Sequence, residues 1–295
     1  MEDKWRWVAV TAIAPIAWGS NYYVTRQILP EDSPLWGAVF RALPAGLLLL
    51  ALVRKRPRGA WWWRSLILGT LNVGAFFVLI YITSQLLPTS LASTIMATSA
   101  AVMLMLAWPL LAERPGTLSV LGASIGLIGV AIMLLGGTSP SAPERLQPLG
   151  ILASLAAMLM SSLGFVLSKK WGRGIPLLPL TSWQLVAGAL VVLPFAVVIE
   201  GPPPTLDGPA MLGFAYVSVI ATALAFVAWF FGLRTLPAGT VGLIGLLNPV
   251  TGVALGTLIA GEAFGVHQAL GTALVLSGVA VGQMRRRGRA AQERV

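Results

Sequence analysis

The chain reads as an all-α polytopic membrane protein, with ten transmembrane helices arranged as two inverted five-helix repeats around a central cavity. Three observations carry that reading. They are recurring apolar runs of about 20 residues, a lopsided distribution of Lys and Arg, and an internal register of 149 residues.

Of the 295 residues, 57% are hydrophobic and 10% charged, and the mean hydropathy is +0.83. That leaves too little polar surface to solvate a water-soluble domain. Lipid offers no partners for exposed backbone amides, so apolar runs of this length are helical. The short alternating strands of a membrane barrel are missing. The formal charge of +10 does not point to nucleic acid, because the basic residues sit in short connectors and at the C-terminus instead of on one face. The absence of cysteine excludes disulfides, thiolate catalysis and Cys-ligated metals.

Charges, prolines and glycines punctuate spans expected at 7–27, 35–53, 65–86, 90–111, 117–136, 148–168, 178–199, 210–232, 238–260 and 265–284. With the N-terminus cytoplasmic, 17 of the 20 basic residues fall inside, Arg26 and Arg145 fall outside, and Arg41 lies within a span. Both termini are therefore expected in the cytoplasm. The first apolar stretch has no small-residue cleavage site before Arg26, so it reads as a retained span.

Setting residue n against n+149 pairs Leu87-Pro88 with Leu236-Pro237, Glu113 with Glu262, and Gly129-Val130-Ala131 with Gly278-Val279-Ala280. Over 87–131 the register gives 12 identities in 45 positions. The paired Leu-Pro and Glu mark the same span boundaries in both halves, which points to a duplication. The expected units are residues 1–137, residues 148–284 and a basic cytoplasmic tail, 285–295. Five spans per half is an odd number, so the second copy enters the membrane from the opposite side. Such inverted repeats suit alternating access to a midplane site.

On these residues, together with Trp18-Gly19-Ser20-Asn21, Phe40-Arg41 and the Glu closing spans four and nine, the chain resembles the drug/metabolite transporter superfamily, EamA-domain branch. Within it, the chain is most similar to YddG-type exporters of amino acids and aromatic metabolites. The resemblance implies a basket in which spans 1, 3, 4, 6, 8 and 9 surround the cavity, with spans 5 and 10 to one side. It also implies a bacterial-type inner membrane. The intramembrane Glu of the related small multidrug transporters is missing here, so simple proton–drug antiport is not implied.

Arg41 is the one charge well inside a span, and intramembrane charges are functional candidates by default. It either meets a substrate carboxylate or pairs with a carbonyl or acid at the rim. Glu113 and Glu262 each close a helix ahead of a short connector, where a carboxylate opposes the macrodipole. Each needs the amide N-terminus of the next helix or a basic neighbour such as Arg114. They read as turn tethers or as gate-locking ion pairs. The candidate cavity residues are the mid-span polar and aromatic ones: Trp18, Asn21, Tyr22, Phe77, Tyr81, Thr94, Thr98, Ser99, Ser162, Phe165, Thr222, Phe226, Trp229 and Asn248. Spacings of three, four and seven place several on shared helix faces. They describe an apolar, aromatic site with a few hydrogen-bonding groups, suited to a small amphipathic solute.

No acidic cluster for Mg²⁺, no zinc-hydrolase motif and no phosphate-binding loop occur, so neither an enzyme nor an ATP-driven pump is expected. No metal or cofactor is expected. The partners are the small-molecule substrate and the lipid bilayer, and monomer and homodimer both remain open. The expected function is export of amino acids, aromatic or apolar ones included, and of related small metabolites. Transport of another solute class, such as drugs or nucleotide-sugars, is the alternative; a membrane enzyme or lipid-binding scaffold is the different-class rival.

Overall fold

A computed structural model describes residues 2–87, 89–135, 147–259 and 265–283, and every regular element among them is helical. The first half comprises α1 (Glu2–Ile28), α2 (Pro34–Val53), α3 (Trp61–Leu86), α4 (Thr89–Ala97), α5 (Ser99–Leu111) and α6 (Thr117–Leu135). The second comprises α7 (Gln147–Trp171), α8 (Leu177–Glu200), α9 (Gly208–Thr235), α10 (Ala238–Ile244), α11 (Leu247–Leu258) and α12 (Val266–Gln283). Among the described residues, six helical segments are long and apolar enough to cross a membrane, and shorter apolar stretches lie at Ile95–Leu111, Thr117–Ile132 and Ala269–Gly282. The protein is a polytopic helical membrane protein.

Several expected spans differ in detail. The segment expected at 90–111 is two helices meeting at Thr98, and the segment at 238–260 is two meeting at Gly245-Leu246. The second break lies one turn ahead of Pro249, which has no N–H to donate to the Gly245 carbonyl and so interrupts the ladder there while sitting in the first turn of α11. Helices α3 and α9 each carry a π turn, at Thr70–Gly74 and Val219–Leu224. Their first residues are 149 positions apart. Leu87 and Leu236, each before a proline in the sequence, are both extended, at φ/ψ −119/150 and −121/156. Pro15 and Pro44 lie inside continuous helices.

The halves interlock. Helix α1 packs against α9 and α11 of the second half, and α7 packs against α3 and α5 of the first. The most extensive pairing joins α6 to α12. There a Cβ on Gly122 would stand 2.5 Å from the Gly278 carbonyl oxygen, and a Cβ on Gly278 would stand 2.5 Å from that of Gly122. This reciprocal backbone approach is what small-xxx-small spacing permits. Other glycines also meet neighbours within the chain: Gly126 abuts Leu246, and Gly252 abuts Ser93.

Candidate functional site

The interlock leaves a small cavity between the halves. Trp18, Asn21 and Tyr22 of α1, Arg41 of α2, and Phe76 and Ile80 of α3 line one part of it. Met96, Ser99, Ser161, Phe165, Trp229, Gly245 and Asn248 complete it. Its free space is about 40 Å³, room for water but not for an amino acid without separation of the helices.

Arg41 is only 6% exposed. Its Nε donates to Thr222 Oγ1 at 2.8 Å and its Nη2 to the Ala221 carbonyl at 3.2 Å. The guanidinium carbon lies 3.9 Å from the centre of the Phe77 ring, a cation–π contact. Ala221 is free to accept because of the π turn: the Ala225 amide bonds to Ile220 and Thr222, passing over Ala221. Trp18 Nε1 donates to the same carbonyl at 3.0 Å. Arg41 thus bonds a hydroxyl and a carbonyl at the cavity wall, not at the rim. No described carboxylate forms an ion pair with Arg41.

Aromatic rings form the rest of the wall. Trp18 stacks on Phe165, with centroids 5.9 Å apart and planes 4° from parallel. It meets Phe226 edge-on at 5.4 Å and Trp229 at 5.0 Å. Three buried polar atoms on cavity-lining residues have no hydrogen-bond partner: Asn21 Oδ1, Asn248 Oδ1 and Trp229 Nε1. Each such atom costs about 1–3 kcal/mol when left unmet.

Not every candidate reaches the cavity. Phe77, Thr222 and Phe226 stand behind its lining, supporting Arg41 and Trp18. The Tyr81 hydroxyl donates to the Pro30 carbonyl, and its ring packs with Leu29, Phe214 and Val217, away from the cavity. Ser162 bonds back to the Met158 carbonyl, and Thr98 to that of Ile95 at the α4–α5 break. The Thr94 side chain and Glu262 lie outside the described residues. Phe76, Ile80, Met96 and Gly245, which line the cavity, were not among the candidates because apolar residues carry no signal against a lipid-facing background. Asn72, on the π turn of α3, is bound to Ser168 and Gln184, at 3.0 and 2.7 Å.

Glu113 closes a separate cluster. Ala112 adopts a left-handed conformation, φ 58, that ends α5 and turns Glu113 back. Its Oε1 lies 2.7 Å from Lys169 Nζ, and its Oε2 accepts the Ala238 amide at 2.7 Å. Lys169 also donates to the Leu236 carbonyl at 2.6 Å. The compensation for the carboxylate is therefore the N-terminus of α10 and a lysine of α7, not the helix that follows in sequence or Arg114. At the register-equivalent leucine, Arg26 Nη1 donates to the Leu87 carbonyl at 2.9 Å. One carboxylate escaped sequence reasoning: Glu200 accepts the Leu35 and Trp36 amides at the start of α2, at 2.7 and 2.9 Å.

Comparison with known proteins identifies the family. The EamA-like transporter family model matches twice, over residues 5–135 and 148–282. Protein PecM of Dickeya dadantii (strain 3937) is 34% identical over 92% of this chain and 90% of its own. The "Uncharacterized inner membrane transporter YicL" of Salmonella typhimurium is 27% identical over 95% of this chain and 96% of its own. A "Probable amino-acid metabolite efflux pump" of the same organism is 25% identical over 90% and 90%. A solved crystal structure superposes with a TM-score of 0.77 at 18% identity, covering 94% of this chain and 96% of that one, a likeness of fold alone. The chain belongs to the EamA-like transporter family, within the drug/metabolite transporter superfamily.

Proposed function

We propose that the chain is a carrier, not an enzyme, that exports amino acids and related small amphipathic metabolites across the inner membrane by alternating access. The observation that carries this reading is one cavity holding a buried guanidinium, three polar atoms without partners and an aromatic wall. In this reading a substrate carboxylate meets Arg41 and Trp229 Nε1, and an ammonium meets the oxygens of Asn21 and Asn248. The solute side chain lies against Trp18 and Phe165. A relative's name, amino-acid metabolite efflux pump, supports the same substrate class.

The path follows from the repeat. We read ten crossings as two inverted five-helix units, with both termini cytoplasmic. Support comes from the reciprocal Gly122 and Gly278 contacts and the π turns one register apart. Glu113, Lys169 and the start of α10 then form a cytoplasmic latch, and the Arg26–Leu87 contact its external counterpart. Releasing one while the other holds opens the midplane to a single side.

Proteoliposomes preloaded with labelled amino acids, with and without a pH gradient, test the proposal. Efflux above protein-free vesicles, saturable and lost in Arg41→Gln, is expected. Folded protein that moves neither an amino acid nor an aromatic solute overturns it.

A further inference from the structure

A second concentration of charge lies far from the central cavity in the chain's own layout. Where α2 ends and α3 and α8 begin there is a groove of about 700 Å³, lined by Arg54, Lys55, Arg56 and Arg58 together with Trp61 and Trp183. All four cations are exposed, and none forms an ion pair among the described residues. Such a cluster repels itself unless an anion joins it.

The groove is built, not a chance meeting of loops. Trp183 Nε1 donates to the Lys55 carbonyl at 2.8 Å, and the Trp61 and Trp183 rings pack 5.8 Å apart. Trp61 is 9% exposed and holds the wall. Helices α3 and α8 both start here, and neither has a side-chain cap, so the positive ends of two helix dipoles add to the field. One turn along α3, Arg64 sits among the rings of Trp61, Trp63 and Trp171, at 5.7, 5.4 and 5.7 Å. Its buried Nε has no partner.

The surroundings distinguish a lipid from a soluble anion. Trp62 and Trp63 are 60% and 47% exposed, and Leu66 and Ile67 continue that apolar face along α3. A basic groove opening onto an exposed apolar helix face matches a phosphate headgroup with its acyl chains beside it. We propose that this groove binds the phosphate of an anionic phospholipid, whose acyl chains lie along the exposed face of α3.

The test is binding, independent of transport. Detergent-solubilised protein is titrated with phosphatidylglycerol, phosphatidylcholine or inorganic phosphate, and retained lipid is counted by native mass spectrometry. Phosphatidylglycerol should be retained over phosphatidylcholine and resist displacement by millimolar phosphate. R56Q/R58Q should lower its retention about thirtyfold, and Lys55→Gln alone about fivefold. Arg114→Gln, an exposed cation elsewhere, should leave it unchanged. Equal retention of phosphatidylcholine, displacement by phosphate, an equal loss in Arg114→Gln, or no loss in folded Lys55→Gln and R56Q/R58Q each overturns the proposal. Should the double variant not fold, Lys55→Gln decides.

Discussion

Lys169 Nζ sits 2.7 Å from Glu113 Oε1, while the other oxygen of the same carboxylate caps the Ala238 amide. One side chain thus ties the end of α5 to both α7 and α10. Glu113→Gln keeps the shape but weakens both bonds, at a cost of about 1–2 kcal/mol for a partly exposed pair. The chain has no cysteine, so a single Ser161→Cys in the cavity reports opening. Labelling by a water-soluble maleimide from the Glu113 side should rise about five- to thirtyfold in Glu113→Gln. Exchanging the two charges, Glu113→Lys with Lys169→Glu, should not restore closure, because an ammonium cannot accept the Ala238 amide. Unchanged labelling in both Glu113→Gln and Lys169→Gln would show that the cluster is only a tether.

Arg41 supplies the second prediction. Its planar fork reaches Thr222 Oγ1 and the Ala221 carbonyl while lying on the Phe77 ring. A lysine ammonium cannot make all three contacts at once. Arg41→Lys should lower amino-acid efflux about tenfold, the worth of one charge-assisted hydrogen bond. Thr222→Val should cost about 1–2 kcal/mol in thermal unfolding by stranding Nε, with a smaller effect on KM. Wild-type efflux in Arg41→Lys would remove Arg41 from the substrate site.

The contrast between Phe77 and Phe76 shows what the sequence could express. Hydropathy and charge placement located the helices, because lipid imposes one demand on every span. The residues at 18, 21, 22, 99, 165, 229 and 248, expected at a cavity because they are polar or aromatic within spans, line one, and Arg41, expected only as an intramembrane charge, lies beside them. The phase of α3 was not. Residues 76 and 80 form one stripe and 77 and 81 the next, both at i, i+4 spacing, and polarity favoured the stripe that turns away. The π turns were also illegible: Thr-Leu-Asn-Val-Gly and Val-Ile-Ala-Thr-Ala-Leu share a bonding pattern and hardly a residue. Nor does spacing reveal that Glu113 finds its partners 56 and 125 residues away.

The α6–α12 contact yields a third prediction. With backbones this close at Gly122 and Gly278, any Cβ must push the helices apart. Gly122→Val and Gly278→Val should each cost about 1–3 kcal/mol by overpacking, read as a lower unfolding temperature in detergent. Gly116→Val is the control, since a Cβ there meets only the Ser119 hydroxyl, at 3.8 Å. Equal losses at all three sites would mean that the reciprocal contact is not what holds the pair.

Asn21 and Asn248 offer the sharpest separation of stability from function. Their Oδ1 atoms are buried without partners, so the empty protein carries their desolvation cost. Replacing such a group with an apolar side chain of similar size removes that cost and can stabilise a fold. Asn248→Leu should therefore raise the unfolding temperature, by about 1 kcal/mol of stability, while raising KM for amino acids about tenfold. For a carboxylate analogue lacking the amine, KM should hardly change, because that solute brings no ammonium to the amide oxygen. Efflux assays with a matched pair, phenylalanine and phenylpropionate, make the comparison within one variant. A loss of both substrates together with a lower unfolding temperature would mark Asn248 as a structural residue of the α10–α11 break. A selective loss of phenylalanine in a more stable protein would place the ammonium beside it.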